Sequence, residues 1–254
     1  MDLIEYQHSK NDNRHPWEWA RFEVIRHFIK KHYISNAQAV VLDVGCGDTF
    51  VLNQLQKQMP QAQYYAIDTA FTEDIINEFQ QEGISLLDNI DALNQKIDKA
   101  DLVFLMDVIE HIEDDESFLK NLVSKEYIDD DTLFIITVPA YQSLFSEHDV
   151  FLKHFRRYSR KALTNTLENA GFEIIENGYF FSSLLAPRLF SLAKEKLIGK
   201  SKSLGLAGWK GSKKQSKLVK DILYLDFKIT NLMHRIGLKL PGLSTYAICR
   251  KSVS

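Results

Sequence analysis

The stretch that most limits how this chain can fold is Val40-Val41-Leu42-Asp43-Val44-Gly45-Cys46-Gly47-Asp48. Its apolar residues run on without polar alternation, as in a parallel strand covered on both faces. An acid stands near its end, and two glycines follow. Glycine is the residue that lets a backbone turn sharply and pass close under a ligand. The run points to holding a cofactor, and the acid bears on which one.

The rest of the chain repeats the theme. Trp17, Phe22, Ile25, Phe28 and Ile29 predict an amphipathic helix over 17–31, with Pro16 suited to its first turn. Strands are expected at 39–44, 63–67, 84–87, 101–106, 132–138, 172–179 and 244–250. Helices are expected at 50–59, 72–81 and 159–170, and the acidic run 113–116 opens another, where negative charge suits the helix dipole. Such alternation predicts an α/β fold, a mostly parallel sheet wound on both faces. Ligands then bind outside the carboxyl ends of the strands.

Bulk properties exclude several classes. Net charge is −3, so the whole chain is not a nucleic-acid polycation. Cys46 and Cys249 give neither a disulfide framework nor a zinc pattern, and a reducing compartment is the simpler expectation. Met1–Glu5 lacks the features of a secretory signal, so a cytoplasmic location is expected. The apolar stretch 179–193 contains Pro187 and Arg188 and is shorter than the roughly 20 residues of a spanning helix.

A pyrophosphate-binding turn favours G-x-G-x-x-G. Here Asp43 and Asp48 flank Gly45 and Gly47 with negative charge, which disfavours a pyrophosphate and favours an ammonium. Asp68 ends the next strand, and an ionised carboxylate can accept both hydroxyls of a ribose. An ammonium at one end and a ribose diol at the other outline S-adenosylmethionine (SAM).

Val41–Gly47 with Asp68, followed by Asp101-Leu102-Val103-Phe104-Leu105-Met106-Asp107-Val108-Ile109-Glu110-His111, resembles the class I SAM-dependent methyltransferases. The nearest flavour is the branch holding ubiquinone-biosynthesis-type O-methyltransferases and uncharacterised bacterial relatives. The resemblance covers about 15–180, with 244–250 closing the sheet. It implies a doubly wound, Rossmann-like seven-stranded sheet and SAM as cofactor. It implies that Gly45 and Gly47 line the methionine part, that Asp68 takes the ribose and that Asp107 lies beside the methyl-bearing end. Arg21 resembles an arginine that grips the cofactor carboxylate. Thr49 stands where family turns often carry a third glycine. Asp88 and Asp91 are both candidates for the adenine.

Methyl transfer needs an aligned nucleophile and sometimes a base, and histidine is the default base near neutral pH. His111 follows the fourth strand, and His148 stands beside Asp149; both are candidate catalytic residues. Arg156 and Arg157 suit a bidentate clamp on a carboxylate or phosphate, with Tyr158 beside them as the candidate substrate-binding set. An ion pair with 113–116 is the competing reading of the arginines. His111, His148 and His154 show no metal-ligand spacing, and no metal is expected.

Residues 180–243 differ. Eight lysines and no acid lie between Lys196 and Lys220. The favoured reading is a helical lid over the acceptor site with a solvated loop. The second is a peripheral contact with an anionic membrane through 180–220. A nucleic-acid role is disfavoured, since that loop has no arginine and only Trp209 as aromatic.

The expectation is one methyltransferase domain over 1–254: an N-terminal helix (15–35), a core (36–179), a helical lysine-rich insertion (180–243) and a final strand with its tail (244–254). It transfers a methyl group to a small-molecule or lipid-linked acceptor. The preference for oxygen comes from the resemblance alone. An NAD(P)-dependent oxidoreductase and a non-catalytic cofactor-binding protein of the same fold are the alternatives.

Overall fold

The computed structural model of the chain describes residues 14–34, 38–79, 82–198, 209 and 211–253. Most of the polar start and most of the lysine-rich loop lie outside the described residues. Helix α1 (Pro16–His32) begins where His15 accepts from the Trp17 N–H, and Pro16 occupies its first turn. Then alternate β1 (Val40–Val44), α2 (Phe50–Gln56), β2 (Gln63–Ile67), α3 (Glu73–Phe79), β3 (Ile84–Leu87), β4 (Leu102–Met106), α4 (Asp115–Val123) and β5 (Leu133–Pro139). A short α5 (Glu147–Phe151) and α6 (Arg160–Asn169) precede β6 (Phe172–Phe180). Helices α7 (Leu185–Ile198) and α8 (Lys213–Arg235) separate it from β7 (Ser244–Lys251).

The seven strands form one sheet in the order β3-β2-β1-β4-β5-β7-β6. β1 to β5 pair in parallel, and β7 runs antiparallel between β5 and β6. This is the expected doubly wound, mostly parallel sheet, with the helical insertion before the last strand. The chain winds outward one way from β1 to β3 and the other way from β4. A crevice therefore opens over the carboxyl ends of β1 and β4. Val44 pairs with Ile67 on one side and Leu105 on the other, so the three strand ends finish level.

Side chains alternate across the sheet and build two cores. Val41, Phe104, Ile135 and Tyr246 meet α1 and α8 on one face. Leu42, Val103, Leu105 and Phe134 meet Leu119 and Leu122 of α4 and Leu163 and Leu167 of α6 on the other. Phe28 and Phe227 lie edge to face at 5.6 Å and are fully buried. Burial of one such ring contributes about 1.5–3 kcal/mol.

Two features of the insertion helices have identifiable causes. α8 starts at Lys213 because Ser212 and Gln215 form a capping box. α7 tolerates Pro187 because its third residue lies in the first turn, where no intrahelical N–H bond is lost.

Candidate functional site

β1 delivers Asp43 to the crevice, 1% exposed. Its Oδ1 has no hydrogen-bond partner among the described residues. Burial pushes its carboxyl up to about 7, although Arg21 acts in the opposite sense. Gly45 follows with φ +71°, and its N–H donates to the Ile67 carbonyl at 2.7 Å. A Cβ at Gly45 would stand 2.6 Å from Val108 Cγ2, so the β4 turn closes over this backbone. Gly47, φ +56°, donates its N–H to Asp68 Oδ2 at 3.0 Å. Ala70 donates to the other oxygen of Asp68, also at 3.0 Å. Each oxygen keeps a lone pair to offer. Thr49 stands at φ +59°, left-handed backbone that a β-branched residue rarely adopts.

Asp48 stands differently from its expected role. Its buried carboxylate is bonded to Arg14, which also binds Glu18 and lies 4.0 Å over the Phe50 ring. Burial works against its ionised form, but the guanidinium holds the carboxyl below its usual range. Of the two acids beside the turn, Asp43 is the one with an unmatched oxygen.

β4 delivers the opposite wall. Asp107, at φ +56°, turns its carboxylate toward α1, where Arg21 Nη1 meets Oδ2 at 2.7 Å. Thr137 donates to Oδ1 at 3.2 Å. Arg21 also lies over the Trp17 ring, 5.0 Å from its centre. Its buried Nε has no partner among the described residues, which leaves it a donor to offer.

Below this lies Glu110, fully buried, with neither carboxylate oxygen bonded among the described residues. Burial, with Asp107 nearby, pushes its carboxyl well above the usual range. The Phe155 N–H donates to the Glu110 carbonyl at 2.7 Å and stitches the segment after α5 onto the β4 turn. His154 thereby meets His111 with ring centres 4.6 Å apart, edge to face. Glu110, His111 and His154 each offer a ligand atom within 4.8 Å of the others. Sequence spacing does not reveal this trio, because His154 comes from a different loop.

The post-β5 segment corrects the sequence reading at several residues. Asp149 is fully buried, and its hydrogen-bonded histidine is His154 (Nδ1 to Oδ1, 2.9 Å), not the adjacent His148. Neighbouring residues on helix α5 point roughly 100° apart, so adjacency in sequence does not bring side chains together. The His148 ring instead lies parallel to that of Phe151. Burial and nearby Arg188 lower its pKa. Arg157 makes the expected bidentate clamp, but on Asp149, at 2.6 and 3.1 Å. Arg156 pairs with Asp115 at 2.8 Å and with the Glu113 carbonyl. This is the ion pair with the acidic helix start. The Tyr158 hydroxyl is buried and donates to Asp115 at 2.5 Å. All three are bonded to protein partners, so the structure supplies no free substrate clamp from them. Arg188 of α7 joins Asp149 as well, 3.2 Å from Oδ2, and donates to Ser146 Oγ at 2.6 Å. Glu110, His154 and Arg188 are site residues the motifs left unassigned. The signal for Glu110 was the unbroken Asp-Val-Ile-Glu-His run, and for Arg188 a lone arginine in an apolar helix.

Of the adenine candidates, Asp91 is exposed and paired with Lys125 at 2.5 Å, while Asp88 follows the carboxyl end of β3.

The profile of a family described as a methyltransferase domain matches residues 16–177. No curated protein matches by sequence. Solved structures share the fold at low identity. A SAM-dependent methyltransferase from Archaeoglobus fulgidus is 18% identical at a TM-score of 0.50, over 91% of this chain and 94% of that one. A Haloferax volcanii methyltransferase, solved with the Trm112 methyltransferase activator, is 13% identical at 0.54, over 93% and 95%. The [4+2]-cyclase SpnF is 16% identical at 0.54, over 97% and 86%.

Proposed function

This chain belongs to the methyltransferase-domain family, and we propose that it binds SAM in the β1–β4 crevice and methylates a small or lipid-linked acceptor at oxygen. The observation that carries this is the unpartnered, buried Asp43 Oδ1 beside the glycine turn. A buried acceptor is stable only when something donates to it, and an ammonium does so with charge. Asp68 receives the ribose hydroxyls, and Gly45 and Gly47 leave room for the methionine part. Arg21 supplies a spare donor to the cofactor carboxylate, with Asp107 beside the methyl-bearing end. Residues 1–254 form one methyltransferase domain in this reading.

Bound SAM supplies an electrophilic methyl on a sulfonium. His154 takes the proton of the acceptor hydroxyl as the methyl arrives, and Asp149 orients its ring through Nδ1 so that Nε2 is the accepting atom. His111 packs against that ring and holds its tilt. A solved [4+2]-cyclase shares the fold, so fold alone does not carry the reaction. Calorimetry is expected to show binding of SAM and S-adenosylhomocysteine and none of NAD; the reverse pattern overturns the cofactor assignment. His154→Ala is expected to keep SAM affinity and lower turnover by about 10²–10⁴-fold.

A second reading is favoured by Glu110, whose buried carboxyl faces two histidines. One carboxylate and two imidazoles suit a divalent transition metal, and Asp149 behind His154 is the kind of carboxylate that orients a ligating ring. Such an ion would displace the Glu110 proton and hold the acceptor oxygen. Dialysis against a chelator separates the readings. Unchanged turnover keeps His154 as base, whereas loss restored by added metal moves the trio to ligands.

A further inference from the structure

Helix α8 is apolar on two opposite faces. Leu223 and Phe227 are buried on the inner one, against α1. Leu218, Ile222, Leu225, Ile229, Leu232 and Ile236 lie on the outer one and are 47–64% exposed. Steps of four, three, four, three and four keep all six within about 40° of one line down the helix. That exposure means no described element covers the stripe. On α7, Leu189 and Phe190 are exposed as well, at 56% and 74%.

We propose that this insertion docks the chain on an anionic membrane surface, with the outer stripe of α8 entering the headgroup layer. Charge selects that occupant. Residues 185–240 hold thirteen Lys/Arg against three Asp/Glu, whereas the rest of the chain holds 18 against 31. On one flank of the stripe Lys217, Lys228 and Arg235 are exposed, with Asp221 as the acid among them. Antiparallel pairing of the stripe with a second copy would bring these cations together, where helix pairs use opposite charges at the flanks. An amphipathic helix with apolar and cationic faces lies in a membrane interface, and each lysine adds attraction to anionic lipid. None of the described helices is long and apolar enough to cross a membrane.

Helix α7 of the insertion adjoins the site. Arg188 of α7 reaches inward to Ser146, Asp149 and the Leu144 carbonyl, while the next two residues face solvent. This deepens the reading of the acceptor: a lipid-linked molecule would reach the crevice from the same surface that holds the insertion.

The test is sedimentation of the full chain with vesicles of phosphatidylglycerol and phosphatidylcholine, against phosphatidylcholine alone. Pelleting is expected with the anionic vesicles at low salt, about tenfold above neutral ones, and should fade as salt rises. Ile222→Glu with Ile229→Glu is expected to lower the pelleted fraction about tenfold, with melting and SAM affinity unchanged because both side chains are exposed. Absence of pelleting with anionic vesicles, or a variant that pellets like the original, overturns the proposal. So does a dimer in solution that the double substitution abolishes, which would give the stripe to a second copy. Failure of SAM binding in calorimetry would overturn the cofactor reading and leave the vesicle result standing.

Discussion

Replacement of Asp149 by alanine is expected to destabilise the chain by about 3–5 kcal/mol, the cost of leaving buried cations without their counter-charge. The carboxylate accepts from Ser146, His154, Arg157 and Arg188, and it is fully buried. These donors come from the residue that caps α5, the loop after it and α7, so one side chain fastens the insertion to the segment after β5. In a chain of this size the melting temperature should fall by on the order of 10 °C. Hydrogen bonds from His154 and Arg157 outweigh burial and hold the Asp149 carboxyl well below the usual carboxylate range. A depressed folded value means that its stabilisation is present above the ordinary carboxylate range and is lost as pH falls through the folded one. Asp149→Asn keeps the volume and is expected to melt between the two, with turnover lowered and SAM affinity unchanged. An alanine variant melting within a degree or two of the parent would mean that the arginines find other partners.

Asp43→Asn is expected to do the opposite: to spare the fold and remove the ligand. Loss of a charged hydrogen bond to the SAM ammonium costs about 1.5–3 kcal/mol, a weakening of about 10–150-fold. Burial has raised the Asp43 carboxyl to about 7 in the free chain. At lower pH the group carries a proton that an incoming ammonium must displace. Affinity should therefore weaken by up to tenfold per pH unit below about 7 and level off above it, and calorimetry in buffers of differing ionisation enthalpy should register proton release. In the asparagine variant that pH dependence should vanish. The stability sign is reversed relative to Asp149. A folded value above the unfolded one means the unliganded chain loses stability as pH rises through about 7. Asparagine has no such charge to bury, so at pH 8 the unliganded variant should melt no lower than the parent. A pH-independent parent affinity would remove Asp43 from the ammonium.

Much of this arrangement is legible along the chain because it depends on local pattern. The unbroken run at Val40–Val44, the acid-and-glycine turn and Asp68 at the next strand end follow from short-range chemistry, and β1 and β2 appear where that chemistry places them. Thr49 shows a limit of the motif: a turn built for a third glycine keeps its left-handed backbone with threonine in place. The substrate candidates were less legible. Arg156 and Arg157 read equally as a clamp or as partners of the acids at 113–116, and Tyr158 as their neighbour, because a sequence shows which residues carry charge but not which of them meet. Their partners Asp115 and Asp149 come from α4 and α5, and only folding brings them within hydrogen-bond reach.

Sequence alone determined the doubly wound sheet and the end of it at which the site would lie, since strand periodicity and a glycine turn are properties of consecutive residues. Tertiary structure decided which histidine Asp149 holds. Lys153, at φ +60°, turns the chain back so that His154 reaches the carboxylate, while helical geometry points His148 away. It also decided that α8 has two apolar faces with one left open. A helix repeat reveals its apolar positions, but which of them are covered depends on what packs against it.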